Sequence, residues 1–225
     1  MIQLDTGVCI EKLFQMSEFQ FTNNWFDSVA RNVWESLIPQ IKISKILEVG
    51  SYEGASVCYL IEKLGNQLEL EIHCIDTWEG GIEHQPGAGA AADMRLVESR
   101  FSHNLQTARN RVAKPVDLHI HKGYSDALLP KLLNEGRRNY FDFIYIDGSH
   151  QAPDVLFDAV VGFRLLKVGG VMGFDDYLWF ENLPTGKDPL RCPKPAIDAF
   201  INLNFRKLQV MFAPNYQLYI QKVAD

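Results

Sequence analysis

The stretch Ile46–Ser56, ILEVGSYEGAS, decides the fold of this chain. A short buried strand ends at Val49, a turn with two glycines follows, and a helical pattern begins directly after it. Gly50 permits a tight turn, and Gly54 lets the helix start close to the sheet or to a ligand. The free N–H groups of that helix then face an open crevice. Strand, turn and helix in this order predict the nucleotide-cofactor corner of a doubly wound α/β sheet.

This turn departs from the dinucleotide fingerprint G-x-G-x-x-G, because Tyr52 stands where the middle glycine would be. Glu48 and Glu53 flank the turn and would repel the pyrophosphate of a dinucleotide. A cofactor with a positive centre and an amino-acid tail would not be repelled. The pattern therefore favours S-adenosylmethionine (SAM) over NAD.

Strands and helices alternate on both sides of this corner, which predicts a mostly parallel sheet covered on both faces. We expect a doubly wound, Rossmann-like, seven-stranded α/β sheet whose last strand is antiparallel, since only a short link joins the final two strands. The predicted strands are Ile46–Val49, Leu68–Ile75, Val116–His121, Phe141–Ile146, Gly170–Phe174, Lys207–Phe212 and Tyr216–Gln221. The predicted helices are Ala55–Leu64, Met94–Val112, Ala127–Leu133, Ala152–Leu166 and Ala196–Leu203.

The chain length favours one domain over residues 1–225. A helical pattern over Glu11–Gln40 predicts a cap over residues 1–42 that covers the sheet edge or the substrate mouth, and residues 43–225 form the Rossmann-like core. The Gly- and Ala-rich segment Gly80–Asp93 predicts a mobile loop, either a lid or plain surface.

Composition narrows the function classes. The net charge is −6 and no run of Lys and Arg is present, which argues against a nucleic-acid surface. The four cysteines form no C-x-x-C pair and are expected to be free, buried thiols in a reducing compartment. With no signal-peptide pattern and no membrane-length apolar run, we expect a soluble, cytoplasmic protein.

Carboxylates follow the strand ends. Asp76 ends the second predicted strand, where it can accept both ribose hydroxyls of an adenosine cofactor or cap a loop. Asp147 ends the fourth strand, and Asp175 and Asp176 end the fifth. If those two strands are neighbours, three like charges converge, which is costly without a cation. All-oxygen ligands favour Mg²⁺ or another hard divalent ion, and the alternative is a set of loop caps.

Two further side chains complete the predicted site. His150 lies three positions after Asp147, and a histidine of ordinary pKa is mostly neutral at pH 7 and can accept a proton. Its alternatives are a helix-start histidine or a fourth metal ligand. Ser125 follows the third strand and predicts a helix N-cap. The remaining histidines, His84 among them, are expected to be structural.

Four motifs carry a family resemblance: EVGSYEG at Glu48–Gly54, DTWEGG at Asp76–Gly81, IDGSH at Ile146–His150 and GGVMGFDDY at Gly169–Tyr177. In this order and spacing, the chain resembles class I SAM-dependent methyltransferases. Within them it looks like the metal-dependent O-methyltransferases, the macrolide-sugar and cephalosporin-type enzymes first and catechol O-methyltransferase more distantly.

The resemblance implies roles for individual residues. The turn residues Glu48, Gly50, Ser51 and Gly54 belong to the cofactor site, with Glu48 and Gly50 near the methionine end of SAM, and Asp147 borders it. The turn at Gly123–Ser125 lies against the adenine. The two strand ends of the carboxylates supply three acidic or amide metal ligands; the third is often Asn and here is Asp176. The position of His150 carries the base that deprotonates the acceptor hydroxyl.

These observations predict a SAM- and Mg²⁺-dependent transfer of a methyl group to a hydroxyl of a small molecule, such as a sugar, a catechol or a natural-product nucleus. An NAD(P)-linked oxidoreductase has no clear use for Asp175 and Asp176. A metal-dependent hydrolase leaves the glycine turn and Asp76 unexplained. A non-catalytic SAM- or nucleotide-binding module remains the alternative outside enzymes. Neither nucleic acid nor a membrane is expected as a partner, and assembly into a homo-oligomer stays open.

Overall fold

The computed structural model describes residues 18–181, 183–214 and 216–225. Its elements alternate along the chain as the sequence predicts. The strands are β1 (Lys45–Val49), β2 (Leu70–Asp76), β3 (Val116–Lys122), β4 (Phe141–Ile146), β5 (Leu166–Phe174), β6 (Leu208–Met211) and β7 (Leu218–Lys222). The helices are α1 (Trp25–Ser28), α2 (Ala30–Leu37), α3 (Ala55–Leu64), α4 (Met94–Asn110), α5 (Ser125–Asn134), α6 (Ala152–Leu165) and α7 (Lys194–Asn204).

The seven strands form one sheet in the order β3-β2-β1-β4-β5-β7-β6. The first five are parallel to one another, and β7 is antiparallel to both β5 and β6. The predicted fold class, with its antiparallel last strand, is confirmed. The chain enters β6 at the sheet edge and returns through β7, so the antiparallel strand lies one position inside that edge.

Two apolar layers cover the sheet. On one face, α2, α3 and α4 pack on side chains such as Ile46, Ile72 and Phe143. On the other face, α5, α6 and α7 pack on the alternate residues of the same strands, such as Leu47 and Ile144. Strands buried on both sides explain the nearly continuous apolar runs of the sequence.

The N-terminal segment differs in detail from the predicted helix over Glu11–Gln40. Its part before residue 18 lies outside the described residues. The rest forms two short helices that break at Val29, which has a non-helical φ of −123° and ψ of −67°. The fully buried Trp34 of α2 packs edge-on against Phe143 and Tyr145 of β4, so α2 covers a face of the sheet rather than its edge.

Smaller predictions have mixed outcomes. Cys58, Cys74 and Cys192 are free and buried as expected, and Cys9 lies outside the described residues. Strand β2 begins two residues later than predicted, and α5 begins two residues earlier. Within the described chain, none of the helices combines the length and apolar character that a bilayer span requires.

Candidate active site

The glycine turn after β1 brings the ends of β1 and β4 together. Gly50 has a φ of +83°, and a Cβ there would lie 2.0 Å from the carbonyl oxygen of Asp147. The Gly50 N–H donates to the carbonyl of Ile75 over 2.8 Å, and the Asp147 N–H donates to that of Val49 over 2.8 Å. Only glycine fits this approach, so the turn motif seen in the sequence has a steric cause.

Asp76 fixes the shape of this turn. Its Oδ2 accepts the backbone N–H groups of Ser51 at 2.8 Å and Tyr52 at 2.9 Å, and its Oδ1 accepts that of Trp78 at 2.7 Å. The bonds to the turn hold Tyr52 in the left-handed region, at a φ of +46°. Asp76 also lines the large cavity described below, so it borders the place predicted for a ribose.

Glu48 and Gly54 lie behind the turn and do not line the cavity. The Glu48 carboxylate is 2% exposed and accepts hydrogen bonds from the hydroxyls of Ser51 and Ser56, while burial raises its pKa to about 7. The bare Cα of Gly54 makes room for Leu105 of α4, which would lie 2.6 Å from a Cβ. These positions support the turn from behind, and the prediction that Glu48 and Gly54 belong to the cofactor site stays a prediction.

A cavity of about 1600 Å³ opens at the carboxyl ends of the parallel strands. A single small ligand commonly occupies a cleft of about 300–1,000 Å³, so this volume accommodates a cofactor together with a second molecule. Residues from the glycine turn, from the 80–90 loop, from α1 and from the segment after β5 line it. Trp25 and Phe26 of the N-terminal segment line the cavity, and the 80–90 loop forms a wall of it.

Asp147, Asp175 and Asp176 converge at one end of this cavity. Each offers a carboxylate oxygen, and the three oxygens lie within 4.8 Å of one another. They meet because β4 and β5 are parallel neighbours, with the Asp175 N–H donating to the carbonyl of Ile146 over 2.9 Å. A left-handed φ of +54° at Asp176 lets two consecutive aspartates contribute to one cluster. A recess of about 10 Å³, which is room for about one water-sized species, lies among them.

The electrostatics of this carboxylate cluster favour a bound cation. Desolvation, and then the charges of Asp175 and Asp176, raise the pKa of Asp147 well above its usual value. Desolvation and the charge of Asp176 raise the pKa of Asp175 to about 6, although Gln217 donates to its Oδ1 over 2.7 Å. A divalent cation relieves this repulsion, and three carboxylate oxygens are the donors that hard ions take. The residues therefore fit the predicted Mg²⁺ or similar ion.

His150 lies against this cluster. Its Nε2 is 2.8 Å from Asp176 Oδ2, its Nδ1 is 3.5 Å from Glu83 Oε1, and its ring stacks on Trp179 at a centroid distance of 4.1 Å. Burial lowers the pKa of His150, but the hydrogen bonds and charges of Asp176 and Glu83 outweigh it and raise the pKa to about 9. With the carboxylates free of a cation, His150 is thus protonated at pH 7, unlike the neutral imidazole that the sequence suggests.

Ser125 lines the cavity but is not the helix N-cap. Tyr124 occupies the N-cap position of α5 with extended backbone, and Ser125 is the first helical residue. Behind it, Asp158 of α6 is 2% exposed, its Oδ1 has no hydrogen-bond partner among the described residues, and burial raises its pKa to about 7.

Several site residues escaped the sequence reasoning. Glu83 lies in the Gly-rich loop just after the DTWEGG motif, and no pattern at its own position pointed to the site. His84 was expected to be structural, yet it lines the cavity, and its ring stacks on that of Tyr52 at a centroid distance of 5.2 Å. Gln217, the residue before β7, reaches Asp175 from 42 positions along the chain. Only the fold reveals these contacts, because each depends on the path of a distant segment.

Comparison with known proteins gives the family. A model described as "Methyltransferase domain" matches residues 47–177, which contain the glycine turn and all three carboxylates of the cluster. Uncharacterized protein R132 of Acanthamoeba polyphaga mimivirus is 25% identical over 134 residues, 58% of this chain and 50% of that protein. Probable caffeoyl-CoA O-methyltransferase 3 of Dictyostelium discoideum is 23% identical over 146 residues, 64% of this chain and 48% of that protein. The chain thus spans about half the length of the curated relatives it matches.

Solved structures share the fold. The O-methyltransferase of Bacillus cereus, solved with SAH, superposes with a TM-score of 0.53 at 16% identity, covering 91% of this chain and 92% of that one. The O-methyltransferase NovP gives a TM-score of 0.55 at 14% identity, covering 86% and 77%. The O-methyltransferase TomG of Streptomyces achromogenes, solved with SAM, gives 0.54 at 16% identity, covering 81% and 74%. The resemblance drawn from the four motifs is confirmed at the level of the family: this chain belongs to the methyltransferase domain family.

Proposed function

We propose that the chain is a SAM-dependent O-methyltransferase that requires a divalent cation and methylates a hydroxyl of a small molecule. The observation that carries this proposal is the meeting of three carboxylates and His150 in a cavity that the adjacent glycine turn also lines. Family membership supports the cofactor, and the carboxylate cluster supports the cation.

When bound, SAM supplies an electrophilic methyl group, and a divalent cation lowers the pKa of a coordinated hydroxyl. Asp147, Asp175 and Asp176 would hold the cation. Asp76 keeps the glycine turn in shape, and Gly50, Ser51 and the start of α3 border the cofactor. The chain thereby contributes position and charge placement for an in-line transfer.

His150 is proposed as the base that accepts the hydroxyl proton. Its Nε2 carries the N–H that donates to Asp176 Oδ2, so Nδ1 is the nitrogen that would accept the proton. Its high pKa depends on the negative charges of Asp176 and Glu83. A cation held by the carboxylate cluster would cancel part of that charge and so lower the pKa of His150. Trp179 and Glu83 fix the ring on its other sides.

Calorimetric titration separates this function from its alternatives. We expect SAM and its demethylated product SAH to bind, NADH to fail, and Mg²⁺ to bind in a manner that EDTA reverses. A labelled-SAM screen against small hydroxylated acceptors then tests turnover. Binding of NADH instead of SAM would support an oxidoreductase, and SAM binding without turnover on any acceptor would support a binding module.

A further inference from the structure

The charge of the large cavity is strongly one-sided. Ten carboxylates are among the described residues that line it, together with two histidines, and neither Lys nor Arg is found in that described lining. The carboxylates are Glu53, Asp76, Glu83, Asp126, Asp147, Asp154, Asp158, Asp175, Asp176 and Glu181. Such a wall creates a negative potential that acts on any charged molecule entering the cavity.

Some of this charge is compensated by the chain itself. Arg100 pairs with the buried Glu53 at 3.0 Å, and Arg191 pairs with Glu181 at 2.5 Å. Neither arginine lines the cavity itself. A cation in the carboxylate cluster and a sulfonium cofactor compensate more. Glu83 and the exposed Asp126 and Asp154 remain, so the excess of negative charge persists in the loaded enzyme. Although burial opposes it, contact with His150 lowers the pKa of Glu83, which stays ionised.

Aromatic rings stand on two sides of this region. Trp179 stacks on His150 beside the carboxylate cluster. On the other side, the ring centroid of Trp25 lies 5.2 Å from that of Tyr52 and 6.1 Å from that of His84. Glu83 lies between the two groups, with its Oε1 3.5 Å from His150 Nδ1 and 3.4 Å from His84 Nδ1. Flat ring faces bind cyclic compounds, and they attract cations through their π electrons.

From this charge and these rings we infer that the acceptor is a neutral or cationic hydroxylated ring compound, and that anionic acceptors are rejected. The inference rests on the proposed function and narrows its substrate class. It separates this chain from an acyl-CoA methyltransferase, the activity in the name of the Dictyostelium relative. The phosphates of coenzyme A are commonly bound by Arg and Lys, and the described lining contains neither of them but ten acidic groups.

A matched set of three catechols tests the inference. Dopamine, ethylcatechol and dihydrocaffeate share a ring with two hydroxyls and carry an ammonium, no charge and a carboxylate, respectively. Each is titrated calorimetrically into the full chain saturated with SAH and Mg²⁺. We expect dopamine to bind at least about tenfold more tightly than dihydrocaffeate, with ethylcatechol between them. Because the effect is electrostatic, the ratio shrinks between about 0.05 and 0.5 M NaCl.

A charge added to the cavity wall provides a second measurement. Gln85 is exposed and lines the cavity, and its side-chain amide donates to the Gly81 carbonyl over 3.3 Å. Gln85→Lys places a cation in the wall and is expected to lower the dopamine-to-dihydrocaffeate affinity ratio about threefold. The matched control is Gln106→Lys, the same charge change on an exposed position of α4 outside the lining, which leaves the ratio unchanged.

The outcomes are distinguishable from failure of the proposed function. Absence of SAH binding would refute the methyltransferase proposal itself. With SAH bound, equal or tighter binding of dihydrocaffeate overturns the inference, and so does a failure of all three catechols to bind. A ratio that both lysine variants shift equally also contradicts it, because the effect would then follow the overall charge of the molecule.

Discussion

Asp175 is the residue on which the candidate metal site depends most clearly, since Gln217 orients it and both other carboxylates lie beside it. Asp175→Asn keeps the shape and removes one charge. We expect Mg²⁺ affinity and methyl transfer to fall at least about a hundredfold, because one of three anionic ligands is lost. Calorimetry and a labelled-SAM assay measure the two effects.

The control for this substitution is Asp154→Asn. Asp154 lines the same cavity and accepts a hydrogen bond from the Ser149 hydroxyl over 2.7 Å, but it is outside the carboxylate cluster. This variant should retain Mg²⁺ affinity. Undiminished cation binding in Asp175→Asn would show that the cluster is not the metal site.

His150 gives a prediction that separates chemistry from binding. In His150→Gln the proton acceptor is gone, and the turnover rate should fall about 10²- to 10⁴-fold. The affinity for SAM should stay within about twofold, because the glycine turn and Asp76 are untouched. Single-turnover kinetics and SAM titration measure these quantities. A fully active variant across neutral pH would rule out the role of base.

At the scale of elements, the joint between β1 and α3 tolerates little change. Gly50→Ala would push a Cβ to 2.0 Å from the carbonyl oxygen of Asp147, so β1 and β4 must separate. We expect a loss of several kcal/mol in the free energy of unfolding and a loss of SAM binding. Denaturant titration and calorimetry test the two expectations.

Gly87 offers the matched comparison. Its φ of +90° is close to that of Gly50, but no atom lies within 4 Å of the position of its missing Cβ. Gly87→Ala therefore carries the backbone strain alone, about 1 kcal/mol, and should keep SAM affinity. Equal effects of the two substitutions would mean that contact with Asp147 plays no part.

The pairing of β2 with β3 builds a stack of imidazoles on the face that α5 covers. His73 is buried and stacks on His119 at 4.3 Å and on His121 at 5.1 Å. Burial first, and then the charges of the two neighbours, outweigh Glu71 and lower the pKa of His73 to about 4. These contacts place His119 and His121 on the same face of β3.

This stack makes the fold sensitive to acid. The unfolded chain takes up a proton at His73 near pH 6.5 and the folded chain only near pH 4, so its contribution to stability is lost as pH falls between these values. In His73→Gln, the free energy of unfolding should change less between pH 6.5 and 4, by a few kcal/mol at most. Replacement of His103 on α4 should leave the wild-type slope, and an equal slope in both variants would refute the assignment.

Local patterns predicted those elements whose cause is local. Nearly continuous apolar runs, each followed by a helical pattern, located β1, β4 and the helices after them. The aspartates at the strand ends located the carboxylate cluster, given that β4 and β5 are neighbours. The break at Val29 and the N-cap at Tyr124 were missed, because both depend on how the chain packs. Glu83 and Gln217 were missed for the same reason, since their partners are far away in sequence.

At the scale of the whole molecule, a hydrogen-bonded chain runs from α2 to the candidate metal site. The Trp34 indole N–H donates to the Tyr219 hydroxyl over 2.6 Å, and that hydroxyl donates to Gln217 Oε1 over 2.7 Å. Gln217 Nε2 then donates to Asp175 Oδ1 and to the Tyr145 hydroxyl. Four of these residues, Trp34, Tyr145, Gln217 and Tyr219, are buried, and an unpaired polar group there is costly.

Tyr219→Phe breaks this chain at its centre. The Trp34 N–H and Gln217 Oε1 lose their partner, which should cost about 1–3 kcal/mol in unfolding free energy. Because Gln217 is then free to turn away from Asp175, Mg²⁺ affinity should also fall several-fold. Tyr140→Phe is the control: its hydroxyl bonds to Glu71 instead, so it lowers stability without weakening Mg²⁺ binding. Unchanged Mg²⁺ affinity in Tyr219→Phe would contradict the coupling.

The chain from Trp34 to Asp175 has a consequence for biosynthesis. The ribosome makes α2 early, β4 and β5 next and Gln217 near the end of this sequence, so the carboxylates of the cluster emerge before the amide that orients one of them. A nascent chain halted before Gln217 would present these aspartates without their final arrangement. Catalytic competence should consequently arise late in translation. It requires β7 to pair with both β5 and β6, between which it lies in the sheet.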